Sequence, residues 1–380
     1  MSEAAMQAWL PNVEEPSRRT GIYPAQWYQG AFQRKEIVTA VPLDEAQLQP
    51  ASLDLRLGEK AYRVPASFLP GRRHGVAEKL AWLAEEEFDL TSGARLERDR
   101  VYIVPLLEGL NLKKRMSAVA NPKSSTGRLD VFARVISNHS TEFDSIAEQY
   151  EGPLWAEIVP RSFHVVARTG SRLVQLRVKR GAPRPSERLV RDLQKDDTLI
   201  KGENVVDIKQ GRIGISVDLM GDPTAKLVGY RARRVEEPID IDRVNHYEPA
   251  DFWDPVTRPE RGGLVLKTDD FHILASKETI AIPDDHAADM IAYDTLVGEF
   301  RVHYAGFFDP GFGLSESGHQ GAKAVLEVRS HEVPFMIEDG QIVGRLAFER
   351  LTEKTDRPYG RGIGSSYQYQ GLALSKHFRR

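Results

Sequence analysis

Pro50-Ala51-Ser52-Leu53-Asp54-Leu55 and Gly214-Ile215-Ser216-Val217-Asp218-Leu219 are the stretches on which the architecture turns. Ser216 lies 164 positions after Ser52 (216 − 52). Further on, Trp155-Ala156-Glu157-Ile158 is echoed by Val325-Leu326-Glu327-Val328, with the glutamates 170 positions apart (327 − 157). After each glutamate come a strand-like run, a Gly-containing turn and a second run, ending at Leu176 in one copy and at Leu346-Ala347-Phe348 in the other. The order is kept and the offset drifts by only six (170 − 164), which marks an internal duplication. The chain therefore reads as two diverged copies of one β-domain, residues 1–180 and 181–380. Arg180-Gly181-Ala182-Pro183-Arg184-Pro185-Ser186, with two prolines and a glycine, reads as the link between them.

Short runs rich in Val, Ile and Phe, bounded by Gly, Asp and Pro, predict strands at Val101–Val104, Phe163–Ala167, Leu173–Val178, Ala324–Val328 and Ile342–Phe348. Their density predicts a mainly antiparallel barrel or jelly roll. Val76, Leu80, Leu83 and Glu87 fall at helical spacing, and Glu85-Glu86-Glu87 reads as the solvated face of that helix. A second helix is expected over Gln26–Thr39, after Pro24.

Composition bounds the chemistry. In 380 residues, 52 Lys and Arg stand against 55 Asp and Glu, giving a net charge of −3 and no general reason to bind nucleic acid. With 41% apolar and 28% charged residues, the chain has the make-up of a folded soluble protein. No apolar run approaches the roughly 20 residues that span a bilayer, and the first residues lack the pattern of a signal peptide. A cytoplasmic protein without membrane partners is expected. The absence of cysteine excludes disulfides, thiolate zinc sites and a cysteine nucleophile.

Two strings carry the most specific signal, Gln47-Leu48-Gln49-Pro50-Ala51-Ser52-Leu53-Asp54-Leu55-Arg56-Leu57-Gly58 and Pro122-Lys123-Ser124-Ser125-Thr126-Gly127-Arg128. In the second, adjacent hydroxyls, a glycine that admits close backbone approach and two cations make a compact anion cradle. The same residues would also suit a polar turn with solvated Lys and Arg. Taken with a strand glutamate and a Tyr/Gln-rich tail, the strings resemble the dCTP deaminase branch of the dUTPase-like trimeric nucleotide enzymes. The resemblance covers both halves, one family subunit each.

That resemblance implies two tandem dUTPase-like β-barrel or jelly-roll domains, mainly β with a few short helices. It implies hydrolysis of dCTP to dUTP and ammonia, without zinc, by a glutamate-activated water. Zinc cytosine deaminases carry H-x-E with P-C-x-x-C, and this chain has no cysteine for that site. Mg²⁺ is expected on the substrate triphosphate. Lys123, Ser124, Ser125 and Arg128 take the triphosphate positions, with Ser124 and Arg128 also approaching the base. Gly306-Phe307-Phe308-Asp309-Pro310-Gly311-Phe312-Gly313 resembles the loop whose Asp holds the deoxyribose 3′-hydroxyl. Glu157 and Glu327 both align with the catalytic glutamate. Burial among apolar neighbours would raise either toward a useful general-base range, and Glu327 is preferred because it follows the intact Asp loop. Tyr359, Ser366 and Gln370 match the spacing of the family's Tyr, Lys and Gln tail, with Ser366 in place of the Lys. That tail is expected to be mobile and to order over substrate.

The two copies differ in complementary ways. Ala292-Tyr293-Asp294-Thr295-Leu296 stands where the second cradle should lie, and Phe143-Asp144-Ser145-Ile146 where the first Asp loop should. A composite site follows, with the cradle of one copy meeting the Asp loop and tail of another, and with it a homotrimer of two-domain chains. Two alternatives remain open: hydrolysis of dUTP at the phosphate chain, alone or with deamination, and a nucleotide-binding regulator without catalysis.

Overall fold

The computed structural model describes residues 17–182, 186–197, 199–202, 206–260, 263–292, 300–302, 306–316, 318–330, 333–361 and 365–380. Ten strands of the first half form the main paths of two sheets, to which Gly21–Ile22 and Ile37–Thr39 add one strand each: β1 (Leu48–Gln49), β2 (Ser52–Leu55), β3 (Lys60–Val64), β4 (Glu86–Asp89), β5 (Val101–Asn111), β6 (Met116–Pro122), β7 (Val131–Ser137), β8 (Ser145–Ile146), β9 (Glu151–Pro160) and β10 (Val174–Arg180). One sheet runs β8-β6-β10-β2-β1 and the other β7-β9-β5-β3-β4.

The second half repeats this strand for strand. Its set is β11 (Ile208–Lys209), β12 (Arg212–Ser216), β13 (Leu227–Ala232), β14 (Trp253–Thr257), β15 (Phe271–Ile280), β16 (His286–Ala292), β17 (Phe300–Val302), β18 (Phe307–Phe308), β19 (Ala322–Ser330) and β20 (Ile342–Arg350). The sheets run β18-β16-β20-β12-β11 and β17-β19-β15-β13-β14, the same two orders again. The two short strings that opened the sequence reading lie at β2 and β12, each paired with the last long strand of its half.

Alternation explains why these runs are strands. Along β6 every second residue is buried, as a pleated strand requires when one face meets a core. Leu53, Leu55, Val104, Val135, Ile158 and Leu176 build the first core, and Ile213, Ile215, Leu274, Leu326, Leu346 and Phe348 the second. The halves also meet each other. Val165–Ala167 pairs antiparallel with Ala94–Leu96 and parallel with Ile239–Asp240. Phe163 packs edge-on against Phe252 and Trp253, and Phe378 joins the same aromatic cluster.

The helices are short, and two differ from expectation. α1 covers Ala25–Gln33, not Gln26–Thr39. Lys35 takes a positive φ of 55° just beyond it, and the β-branched run Ile37–Thr39 pairs with β5 instead of extending the helix. α2 covers Val76–Leu83 and stops before the acidic run. Glu85–Glu87 is not a helix face. Glu86 and Glu87 begin β4, and their charges meet Arg63 and Lys60 of β3 at 2.9 and 2.6 Å. A third helix, Ser124–Gly127 (α3), forms the cradle, and α4, Glu187–Asp197, follows the link. Of the stretches singled out in the sequence, 1–16, 183–185, 293–296 and 362–364 lie outside the described residues. Among the described residues no helix is long and apolar enough to cross a membrane.

Candidate active site

The cradle forms because β6 ends at Pro122 and the chain turns at once into α3. Lys123 stands at its N-terminal boundary, and its carbonyl accepts the Thr126 and Gly127 N–H groups at 2.8 and 3.0 Å. Thr126 Oγ1 donates to the Leu173 carbonyl at 2.8 Å, which anchors the turn beside β10. The Lys123 ammonium pairs with Asp54 of β2. Arg128, 3% exposed, lies with its guanidinium 3.8 Å from the centre of the Tyr367 ring and donates to the Ala373 carbonyl at 3.2 Å.

Opposite the cradle stands the second half. A cavity of 390 Å³ is lined by Lys123, Ser124, Ser125 and Arg128 from the first half and by Asp309, Glu327, Tyr359, Ser366 and Gln370 from the second. Of the ten residues that the sequence singles out to bind or react, nine line this cavity, six expected from motifs and three, Tyr359, Ser366 and Gln370, from tail spacing; Glu157 does not. One chain brings the nine together.

Glu327 sits on β19, 5% exposed. Burial pushes its carboxyl up to about 8, opposed by the positive charge of Arg128. A carboxyl poised there exchanges a proton easily near neutral pH, which suits a group that must both accept and return one. Asp309 follows β18 and is buried; burial raises its carboxyl, and Arg177 opposes the rise. Arg177 reaches across from β10 of the first half. It donates to Asp309 Oδ1 at 3.1 Å, pairs with Asp289 and lies 3.9 Å from the Phe307 ring centre.

Glu157 is placed elsewhere. It is fully buried on β9, directly across the ladder from Arg134 of β7, and the two form an ion pair. Arg134 in turn lies 3.7 Å from the Phe143 ring centre. Glu157 does not line the cavity. Nearby, Asp144 accepts the Val135 N–H at 2.7 Å, and burial pushes its carboxyl up to about 7.

The described part of the tail packs against the Asp loop and the cradle. Gly311 has a φ of +91°, and a Cβ there would lie 2.8 Å from the Tyr359 backbone nitrogen, so the Asp-Pro-Gly loop and the start of the tail fit only with glycine. Tyr359 N–H donates to the Pro310 carbonyl at 2.7 Å, and the Tyr359 hydroxyl accepts the Tyr367 N–H at 3.2 Å. Gln370 Nε2 donates to the Lys323 carbonyl at 3.1 Å. Ser375 Oγ lies 2.8 Å from both the Ser125 carbonyl and His377 Nδ1, while His377 Nε2 meets the Ile241 carbonyl at 2.9 Å. Burial holds His377 down near 4, so it is neutral.

The N-terminal domain of 2′-deoxycytidine 5′-triphosphate deaminases matches residues 19–182, and the C-terminal domain of the same enzymes matches residues 186–378. The chain belongs to the dCTP deaminase family. A solved 2′-deoxycytidine 5′-triphosphate deaminase from Agrobacterium tumefaciens is 48% identical, with a TM-score of 0.85 over 89% of this chain and 100% of that one. A "dCTP deaminase, dUMP-forming" of Beutenbergia cavernae is 33% identical over 175 residues, covering 43% of this chain and 85% of its own. Its counterpart in Mycolicibacterium vanbaalenii is 31% identical over 174 residues, with 43% and 86% covered. Each of these two relatives aligns with less than half of this chain but with most of its own length.

Several residues that line the cavity or support its lining carry no local sequence signal for that role. Arg177 sits between Leu176 and Val178 in a strand run, where alternation would point it to solvent; only the partner sheet turns that face inward. Asp54 belongs to the Gln47–Gly58 stretch, in which nothing names Lys123 as its partner. Tyr367, Lys376 and His377 belong to a tail in which spacing had singled out only Tyr359, Ser366 and Gln370.

Proposed function

We propose that this chain hydrolyses the 4-amino group of dCTP, consuming one water and releasing dUTP and ammonia. The observation that carries the reading is the buried Glu327 facing the same cavity as Ser124 and Arg128, with its carboxyl poised near neutrality. In the proposed mechanism the Glu327 carboxylate takes a proton from water as the oxygen attacks cytosine C4. The same proton then passes to the ring nitrogen or to the departing ammonia. Ser124 orients the water and Arg128 stabilises the negative charge that develops beside C4 as the electron pair of the C4–N π bond moves onto the ring nitrogen. Positioning and proton transfer supply the rate. Glu157, neutralised by Arg134 outside the cavity, takes no part.

Lys123, Ser125, Tyr359 and Gln370 hold the triphosphate end, and Asp309, steadied by Arg177, receives the 3′-hydroxyl. Mg²⁺ enters on the triphosphate, largely hydrated, as Mg²⁺ sites usually are. Asp54 Oδ1, buried without a hydrogen-bond partner among the described residues, fits its water shell. Each ten-strand set closes as a dUTPase-like jelly-roll barrel, with residues 1–180 and 181–380 as the two units. Three such chains form a homotrimer that works in the cytoplasm without zinc, nucleic acid or membrane.

A second reading adds hydrolysis of dUTP to dUMP and pyrophosphate, favoured by the "dUMP-forming" names of the relatives. Incubation with dCTP and Mg²⁺, and separately with dUTP and Mg²⁺, separates the readings. Ammonia with dUTP establishes the deaminase, and ammonia with dUMP and pyrophosphate the bifunctional enzyme. Pyrophosphate from dUTP without attack on dCTP would assign a dUTPase. Affinity without turnover of either would leave a nucleotide-binding regulator.

A further inference from the structure

We propose that Lys376 is a triphosphate ligand, supplying from ten residues further along the tail (376 − 366) the cation that Ser366 lacks. The proposal rests on the nucleoside triphosphate reading above and deepens it.

Lys376 and Ser366 line the same cavity as Lys123. The mount of Lys376 is rigid. Its N–H donates to the Tyr367 hydroxyl at 3.0 Å, its carbonyl accepts the Asn245 N–H at 2.9 Å, and its neighbours Ser375 and His377 are both buried. Ser375 touches the carbonyl of Ser125, so this stretch of the tail is bonded directly to the cradle.

The charges around Lys376 are those of an anion site. Burial above all, and then the positive fields of Lys123 and Arg172, which line the cavity with it, hold the Lys376 ammonium below its ordinary range. Asp54 and Asp242 oppose that shift without coming within ion-pair distance of it. Lys123 and Arg172 are each matched by a carboxylate, Asp54 and Asp44 at 3.3 Å in the second case. Lys376 forms no ion pair among the described residues. Gathering three cations at one end of a partly buried cavity is costly for the empty protein and is relieved when a polyanion arrives. The acidic end is distinct: Glu327 feels Arg128, not Lys376.

The sequence alone could not assign this role, because the tail spacing points to position 366. In the structure the tail continues past Gln370, turns back along the cradle and returns a lysine to the cavity.

The test compares Lys376→Met, Lys376→Arg and Lys376→Met combined with Ser366→Lys. Inorganic tripolyphosphate and 2′-deoxycytidine serve as separate probes for the two ends of the site. Lys376→Met is expected to raise KM for dCTP and to weaken tripolyphosphate binding about ten- to hundredfold, the size of one charge-assisted hydrogen bond. Both kcat and 2′-deoxycytidine binding should stay within about threefold of the parent. Lys376→Arg should keep most of the affinity, and Ser366→Lys should restore it in the Lys376→Met background. Unchanged tripolyphosphate binding in Lys376→Met would overturn the proposal. So would an equal loss of 2′-deoxycytidine binding, which would show a disturbed tail. A parent protein that binds tripolyphosphate but leaves dCTP intact would defeat the deaminase reading and leave the Lys376 comparison standing.

Discussion

Two glutamates at equivalent positions meet opposite surroundings, and the difference predicts opposite phenotypes. Glu157 has a cation beside it, whereas Glu327 feels Arg128 only at a distance and is held protonated by burial. Glu327→Gln should therefore lower kcat by about 10²–10⁴-fold, the usual worth of a general acid–base group. Glu157→Gln should keep kcat within a few-fold and cost about 1–3 kcal/mol of stability, since Arg134 is partly exposed and retains some water. Steady-state kinetics and thermal melts on the two variants check both. The pH dependence follows from the same carboxyl. Its native pKa lies above the unfolded one, so the stability it contributes is present at low pH and lost as pH rises through about 8. The unfolding free energy of Glu327→Gln relative to the parent, read from melts at each pH, should thus rise between pH 5 and about 8 by at most about 1.4 kcal/mol per pH unit. For the free enzyme, kcat/KM should rise with pH with a midpoint near 8, and Glu327→Gln should abolish that limb.

At the scale of elements, the site depends on a turn, a loop and a tail that hold one another. Gly311 lets the Asp-Pro-Gly loop pass against Tyr359 with no side chain between them. Gly311→Ala should strain the positive φ by about 1–2 kcal/mol and push the start of the tail outward. The expected result is a KM for dCTP raised about tenfold or more with the melting temperature only slightly lowered, measured on the purified variant. This is also where the sequence was most and least legible. The cradle and the Asp loop could be read because each packs its chemistry into six or eight consecutive residues. The apolar run Leu173–Val178 announced β10 for the same reason. Glu85–Glu87 misled because a charged run has no period of its own, and only pairing with Lys60 and Arg63 made it an edge strand. Arg177 and Lys376 were invisible in their roles, since contacts between halves leave no local trace in the chain.

For the whole molecule, the account holds that duplication moved a shared site inside one chain. In the proposed site the first half contributes Lys123, Ser124, Ser125 and Arg128, and the second half Glu327, Asp309 and the tail. Light scattering should report three chains per particle if the proposed homotrimer forms, yet the site itself needs only one. The decisive measurement is complementation between two inactive variants, Arg128→Ala and Glu327→Gln, expressed together in one cell with different tags and assayed for ammonia release from dCTP. In a shared-chain site, a cradle from one variant and an acid from the other would reconstitute a working pair. In the arrangement described here every chain carries one broken half of its own site. The account predicts that the mixture stays as inactive as the separate variants, and recovery of a sizeable fraction of parental activity would contradict it.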